Sequence, residues 1–245
     1  MECLLFCRYM IFKASNMIKC KNINYKYPGT QYPVFNGLSC IIEEPGFHAL
    51  FGLSGAGKST LARMIAGQLN QYTGVIERNN TDIIFYSYNL ERLPGWSSVG
   101  EHILKITPEK NKNRIDEIIE SFGLSAYMDS GFSHLSLGQR NRINLARYLL
   151  QDFDCLIMDE SLANVDEVTR EQIILKIKDL YPGKTFIYIS HSVAEVSMFC
   201  KNIIVLRSFQ KTPQTITVLG QDKKTGKSVA KKDLEQTMLE IVNVS

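Results

Sequence analysis

Alternating apolar and polar residues dominate the first part of the chain. Residues 18–25 alternate almost regularly, which is typical of a half-buried strand. After a Pro-Gly turn at 28–29, residues 34–35 and 38–42 predict a second pair of short strands, ended by a second Pro-Gly turn. We therefore expect a small antiparallel sheet, an N-terminal β lid, ahead of the rest of the fold.

Continuous apolar runs replace this alternation further along the chain. They have the length and composition of buried strands and are separated by segments with helical spacing, such as residues 168–180. Repeated strand–helix units predict an α/β fold with a mainly parallel sheet covered on both faces. The predicted strands lie at 47–51, 74–77, 82–86, 155–158, 185–189 and 203–206.

A charged helical segment interrupts the α/β pattern. Residues 99–106 and 108–122 have helical spacing and carry many charges, which predicts an inserted α-helical subdomain over about residues 89–150. The motif at 93–96, Leu-Pro-Gly-Trp, lies at its entrance. Its tryptophan is interpreted as a packing residue, with a partner surface as the alternative.

The two ends of the chain differ from the domain predicted over residues 17–207. Residues 1–16 are interpreted as a disordered or extra tail, because Arg8 breaks their apolar run and no cleavage site follows. Residues 208–245 are interpreted as a C-terminal extension with a basic loop and a short helix at 231–241.

Composition narrows the class of protein. The chain has 245 residues and ordinary apolar and charged fractions, which suit one substantial domain. A formal net charge of +3 is too small to indicate nucleic acid binding. No apolar run is long enough to span a bilayer, so we expect any membrane role to come from a partner. Six scattered cysteines favour a reduced, cytosolic compartment.

Residues 52–60 read GLSGAGKST and fit the phosphate-binding pattern G-x-x-x-x-G-K-[ST]. Glycine lets backbone N–H groups approach a polyphosphate closely, and the following helix directs its positive dipole end there. Lys58 would reach the β- and γ-phosphates, and the Ser59 hydroxyl would ligate Mg²⁺. The residues predicted to bind nucleotide here are Gly52, Leu53, Ser54, Gly55, Ala56, Gly57, Lys58, Ser59 and Thr60.

A second stretch, residues 220–228, imitates this loop. Gly220 and Gly226 are separated by five residues instead of four, and no buried strand and helix flank them. We interpret this stretch, which includes Lys227, as a solvated basic loop.

Two carboxylates follow the buried strand at 155–158. Asp159 is placed to hold Mg²⁺, directly or through water. Glu160 would point towards the γ-phosphate and act as the general base for the attacking water. Nearer the start of the chain, Tyr27 is a candidate for stacking on adenine, with packing in a turn as the alternative.

Residues 135–139 read LSLGQ and precede a helix predicted at 142–150. Alone, this motif is explained by Ser136 acting as a helix N-cap. Placed between the phosphate loop and the Asp-Glu pair, it makes residues 17 to about 206 resemble the ABC (ATP-binding cassette) ATPase family. The resemblance implies a RecA-like P-loop NTPase fold. It also implies that one protomer binds the γ-phosphate of ATP held by the other through Ser136, Gly138 and Gln139.

Other residues of the chain match functional positions of the family. Tyr27 resembles the adenine-stacking aromatic residue, and Asp166 resembles the aspartate that links two nucleotide sites. His191 follows a predicted strand and is similar to the switch histidine that contacts the γ-phosphate. The other histidines, His48, His102 and His134, are interpreted as structural.

Three positions depart from the family pattern. Leu137 stands where glycine is usual, and Ala163 where serine is common. Tyr88 occupies the position of a glutamine that touches Mg²⁺ and communicates with the membrane partner. Either the neighbouring Asn89 supplies this amide in a shifted register, or the contact is missing.

The resemblance implies an ATP-hydrolysing subunit of a membrane transporter that uses ATP and Mg²⁺. Expected partners are a second copy of the chain, permease subunits and, through them, a solute-binding protein, with no nucleic acid. The expected location is cytoplasmic, peripheral on the inner face of the cell membrane. The motifs at 93–96 and 190–195 resemble nitrate, sulfonate and taurine importer subunits. Alternatives are a soluble ABC ATPase without a transport role and a degenerate module with little hydrolysis.

Overall fold

Residues 17–89, 91, 95 and 97–245 are described by the computed structural model. The predicted tail at 1–16 and three residues of the motif at 93–96 lie outside the described residues. Within the described ranges, no helix combines the length and the apolar character needed to cross a membrane.

A six-stranded sheet forms the centre of the fold, in the spatial order β5-β6-β7-β3-β8-β9. Its first five strands are parallel, and β9 pairs antiparallel with β8 at one edge. This confirms the mainly parallel sheet that the apolar runs predict. The strands are β3 (Gly46–Phe51), β5 (Ile84–Tyr88), β6 (Cys155–Asp159), β7 (Thr185–Ile189), β8 (Asn202–Leu206) and β9 (Thr215–Leu219).

A separate three-stranded antiparallel sheet forms the predicted lid. Its order is β2-β1-β4, from β1 (Met17–Tyr25), β2 (Phe35–Ile42) and β4 (Thr73–Asn79). The sequence pattern predicts the β1–β2 part, whereas β4 comes from beyond the phosphate loop. A partner strand from a distant segment cannot be identified from local alternation alone.

Seven α-helices lie in the described part of the chain. The segment predicted as one helix at 108–122 begins instead as a 3₁₀-helix, Glu109–Arg114, which continues into an α-helix. Such tighter turns are frequent at helix N-termini. The helices are α1 (Lys58–Ile65), α2 (Val99–Ile106), α3 (Ile115–Ser121), α4 (Leu137–Leu149), α5 (Glu167–Leu180), α6 (Val193–Phe199) and α7 (Lys231–Val244).

Alternating side chains of β6 pack into two different cores. Leu156 and Met158 join the cluster that contains Ile118 of α3 and Ile143 of α4. Ile157 faces the opposite side and belongs to the cluster of α1 and the lid. Because successive side chains of a strand point to opposite faces, β6 separates the core of the helical subdomain from the core of the lid.

Gln214 connects the lid to the segment before β9. Its side chain is buried, with Nε2 donating to the Val34 carbonyl at 2.8 Å and Oε1 accepting from the Asn36 N–H at 3.0 Å. Residues after 208 thus contribute a strand to the main sheet and contacts to the lid. At the far end, α7 packs against α6 and buries Ile241.

We expect Gln214→Leu to reduce the free energy of unfolding by about 1–3 kcal/mol, since both lid groups would lose their amide partner. Urea unfolding followed by circular dichroism would measure this. Gln210→Leu is the matched control, because residue 210 is exposed and should change stability little. Equal midpoints for the two variants would contradict the structural role of Gln214.

Candidate nucleotide site

The phosphate loop joins β3 to α1 and lies under the lid. Gly57 has φ 96°, in the left-handed region, and a Cβ there would lie 2.6 Å from Val34 Cγ1. The ring of Phe35 would be 2.7 Å away. Only glycine satisfies both constraints, so packing of the lid against the loop fixes the start of α1.

Lys58 folds back into the loop that precedes it. Its Nζ donates to the Gly52 carbonyl at 2.9 Å and to the Leu53 carbonyl at 3.1 Å. Burial lowers the pKa of Lys58, while the charges of Asp159 and Glu160 act in the opposite direction. The ammonium group is therefore held among carbonyl oxygens that a phosphate could replace.

Tyr27 lies beside the first turn of α1. Its hydroxyl is 2.9 Å from Thr60 Oγ1, and its ring meets Tyr25 edge-on with centroids 4.9 Å apart. The side chain remains partly exposed. The Tyr27 ring thus lies close to the phosphate loop. Its stacking on adenine stays a prediction.

Asp159 ends β6 and accepts a hydrogen bond that the sequence analysis missed. The Tyr86 hydroxyl donates to Asp159 Oδ2 at 2.6 Å. Burial, followed by the interaction with Asp159, raises the pKa of Tyr86 well above its usual value. The sequence shows only a tyrosine in a predicted strand and gives no sign that this strand lies beside β6.

Glu160 and His191 meet just beyond the ends of β6 and β7. His191 Nε2 lies 2.6 Å from Glu160 Oε1, and the Glu160 N–H donates to the Ile189 carbonyl at 3.1 Å. Glu160 has φ 53°, a conformation that non-glycine residues rarely adopt and that often marks functional sites. The two residues line a cavity of about 210 Å³.

A half-buried carboxylate, Glu195, supports the loop that carries His191. Glu195 forms an ion pair with Arg170 of α5. The hydroxyls of Tyr188 and Ser190 each donate to Glu195 Oε2 at 2.8 Å. Sequence reasoning missed this cluster, because its members come from α5, α6 and the end of β7.

Ser136 caps α4, as the simpler interpretation of LSLGQ predicts. Its hydroxyl accepts from the Gln139 N–H at 3.3 Å, and Gln139 Oε1 accepts from the Ser136 N–H at 2.8 Å. A Cβ on Gly138 would lie 2.4 Å from the Asn164 carbonyl, so α4 packs tightly on that loop. Among the described residues, no hydrogen bond joins this motif to the phosphate loop.

Asp166 follows the same loop and begins α5. Its carboxylate accepts from the Thr169 N–H at 2.9 Å, which is an N-cap contact. This hydrogen bonding lowers the pKa of Asp166 below its usual value. Asp166 lies two residues after Asn164, whose carbonyl is packed against Gly138.

The segment after β5 contacts α4 through side-chain amides. Asn89 Oδ1 accepts from Asn141 Nδ2 at 3.0 Å, and the same Nδ2 lies 2.8 Å from the Ala163 carbonyl. Tyr88 is 44% exposed and stacks on Tyr86 at 5.8 Å. The amide of Asn89 is thus directed towards the LSLGQ helix.

The basic stretch at 220–228 does not form a second phosphate loop. Lys227 is exposed, and its N–H donates to the Lys224 carbonyl in a turn. Neither a buried strand nor a helix start frames it. This agrees with its interpretation as a solvated loop.

The comparisons with known proteins agree with this geometry. A family model described as ABC transporter matches residues 35–163. The chain is 31% identical over 206 residues to the taurine import ATP-binding protein TauB of Jannaschia sp. (strain CCS1), covering 76% of each chain. It is 28% identical over 221 residues to the phosphonates import ATP-binding protein PhnC 1 of Ruegeria sp. (strain TM1040), covering 78% of this chain and 86% of the relative.

The fold is also found among solved structures. A bacterial Atm1-family ABC exporter with ATP bound superposes with a TM-score of 0.71 at 19% identity, covering 94% of this chain and 42% of that chain. Together with the family match, this confirms the predicted resemblance. The chain belongs to the ABC transporter family and is one of its ATP-binding, ATP-hydrolysing subunits.

Proposed function

We propose that this chain hydrolyses MgATP between two copies of itself and so drives a separate membrane permease. The observation that carries the proposal is the 2.6 Å contact of Glu160 with His191 at the same sheet edge as the phosphate loop. The edge formed by the carboxyl ends of parallel strands is where ligands bind in such sheets. A lysine, a magnesium-binding carboxylate and a general base would thus face one phosphate chain.

The residues present fit a magnesium ion. The Asp159 carboxylate accepts a hydrogen bond from Tyr86, and Ser59 is close enough to Tyr86 to influence its pKa, so two oxygen-bearing side chains lie around one tyrosine hydroxyl. Hard oxygen donors are what Mg²⁺ prefers, and it commonly binds through one or two protein groups and substrate phosphates. When bound, the ion would neutralise charge on the β- and γ-phosphate oxygens.

In the hydrolysis step, Glu160 would take a proton from the attacking water. The water oxygen forms a bond to the γ-phosphorus while the bond from that phosphorus to the bridging oxygen breaks, releasing ADP. His191 holds the Glu160 carboxylate through its 2.6 Å contact and would meet the γ-phosphate from the same side. Lys58 would exchange its two carbonyl partners for phosphate oxygens.

The second copy would complete the site. The N-terminus of α4, with Ser136 and Gly138, offers N–H donors and a hydroxyl suited to an anion. Asp166 would link the two sites, and Tyr27 would hold adenine. Because α4 is hydrogen-bonded to the segment after β5 through Asn141 and Asn89, movement of this helix would be transmitted to the permease-facing side.

The proposed location of the chain is the inner face of the cell membrane, where permease subunits would attach it. A solute-binding protein would act on the outer side of the same permease. No nucleic acid partner is proposed, since the net charge of +3 is small. Similarity to TauB makes import the favoured direction.

The first test separates the phosphate loop from the basic loop that imitates it. We expect Lys58→Ala to lower ATP affinity by about 10–100-fold, since a charge-assisted hydrogen bond contributes about 1.5–3 kcal/mol. Lys227→Ala removes an exposed lysine and should leave affinity unchanged. Equilibrium binding of a fluorescent ATP analogue measures both, and equal losses would refute the assignment of the loop.

The second test concerns Glu160. Glu160→Gln keeps the size of the side chain but removes its basicity, so turnover should fall by about 10²–10⁴-fold while ATP affinity persists. The variant should accumulate as an ATP-bound dimer, visible by size-exclusion chromatography with light scattering. The wild-type protein should be mainly monomeric once its ATP is consumed.

A second substitution tests the dimer interface. Adding Ser136→Arg to Glu160→Gln should abolish the dimer by placing bulk at the facing phosphate site. Adding Ser125→Arg, at an exposed serine elsewhere in the helical subdomain, should leave the dimer intact.

Two outcomes would contradict the role proposed for Glu160. Wild-type turnover in Glu160→Gln would remove Glu160 from the mechanism. An inactive, ATP-bound monomer would favour a module that binds ATP without hydrolysing it.

A further inference from the structure

Tyr86 is buried beside the magnesium-binding residues proposed above, and no part of the family resemblance assigns it a role. It lies on β5, where it pairs with Ile157 of β6, while Tyr88 pairs with Asp159. Side chains two residues apart on a strand share a face. The Tyr86 side chain therefore points to the same face as Asp159, one step behind it on the neighbouring strand.

The hydrogen bond from Tyr86 to Asp159 has features of a strong one. Its 2.6 Å length is typical of an O–H donor to a carboxylate, and both residues are at least nine-tenths buried. The ring is also fixed by stacking on Tyr88 at 5.8 Å. The hydroxyl is thus held in place before any ligand arrives.

We propose that Tyr86 is a positioning residue for Asp159, holding Oδ2 so that the carboxylate is oriented to bind the magnesium ion of bound nucleotide. The inference rests on the magnesium site proposed above. Partners that orient a ligating carboxylate commonly contribute 10–100-fold to metal affinity or activity. Tyr86 would not touch the phosphates, so its effect should be confined to the dependence on metal.

A second tyrosine in the chain provides a matched control. The Tyr148 hydroxyl donates to both Glu91 oxygens at 3.0 Å, from a half-buried position. Tyr148→Phe therefore removes a similar tyrosine–carboxylate hydrogen bond outside the proposed magnesium site. Tyr86→Phe and Tyr148→Phe both keep the ring, so packing is changed little in either variant.

The experiment measures binding of a fluorescent ATP analogue, first with EDTA and then over a magnesium chloride titration, together with the magnesium dependence of ATP hydrolysis. For Tyr86→Phe we expect unchanged affinity in EDTA and about 10–100-fold more magnesium for half-saturation in both assays. Tyr148→Phe should follow the wild-type protein throughout.

The variant Asp159→Asn distinguishes the positioning role of Tyr86 from the proposed magnesium site on which it rests. Wild-type magnesium dependence in Asp159→Asn would refute the magnesium site itself. Altered dependence in Asp159→Asn but wild-type dependence in Tyr86→Phe would refute the positioning role alone. If Tyr86→Phe lost the same ATP affinity in EDTA as in magnesium, the positioning role would also be refuted. The hydroxyl would then stabilise the fold and would not affect magnesium binding.

Discussion

The site depends on the parallel register of three neighbouring strands. Ile189 at the end of β7 pairs with Leu50 of β3 on one side and with Asp159 of β6 on the other. Because the three strands end level, the residues that follow them emerge at one edge. A slip of one residue in β6 would turn Asp159 to the opposite face and break its hydrogen bond with Tyr86.

Local pattern predicts the parts of the candidate site that are contiguous in sequence. The phosphate loop is predicted from the spacing of its glycines and Lys58. The Asp-Glu pair is predicted from its position directly after an apolar run. The same holds for strands such as Thr185–Ile189, whose observed bounds equal the predicted ones. Here the chain needs no information from distant segments.

Features that depend on pairing between distant segments could not be predicted in this way. Tyr86 meets Asp159 only because β5 lies beside β6, and Glu195 meets Arg170 only because α5 and α6 lie close together. By contrast, α4 begins at Leu137, five residues before the predicted start, because Gln139 completes a capping box with Ser136, and this signal is local and readable from the sequence. The predicted adenine, dimer and permease contacts remain predictions.

The antiparallel pairing of β9 with β8 has a consequence for edge-to-edge aggregation of the sheet. β9 covers the backbone N–H and C=O groups of Asn202–Leu206, an apolar strand with four buried residues in succession. A chain cut at residue 207 would leave that strand as an open sheet edge, a template on which other chains could add strands. The segment after residue 208 therefore shields this edge from strands of other chains as well as completing the sheet.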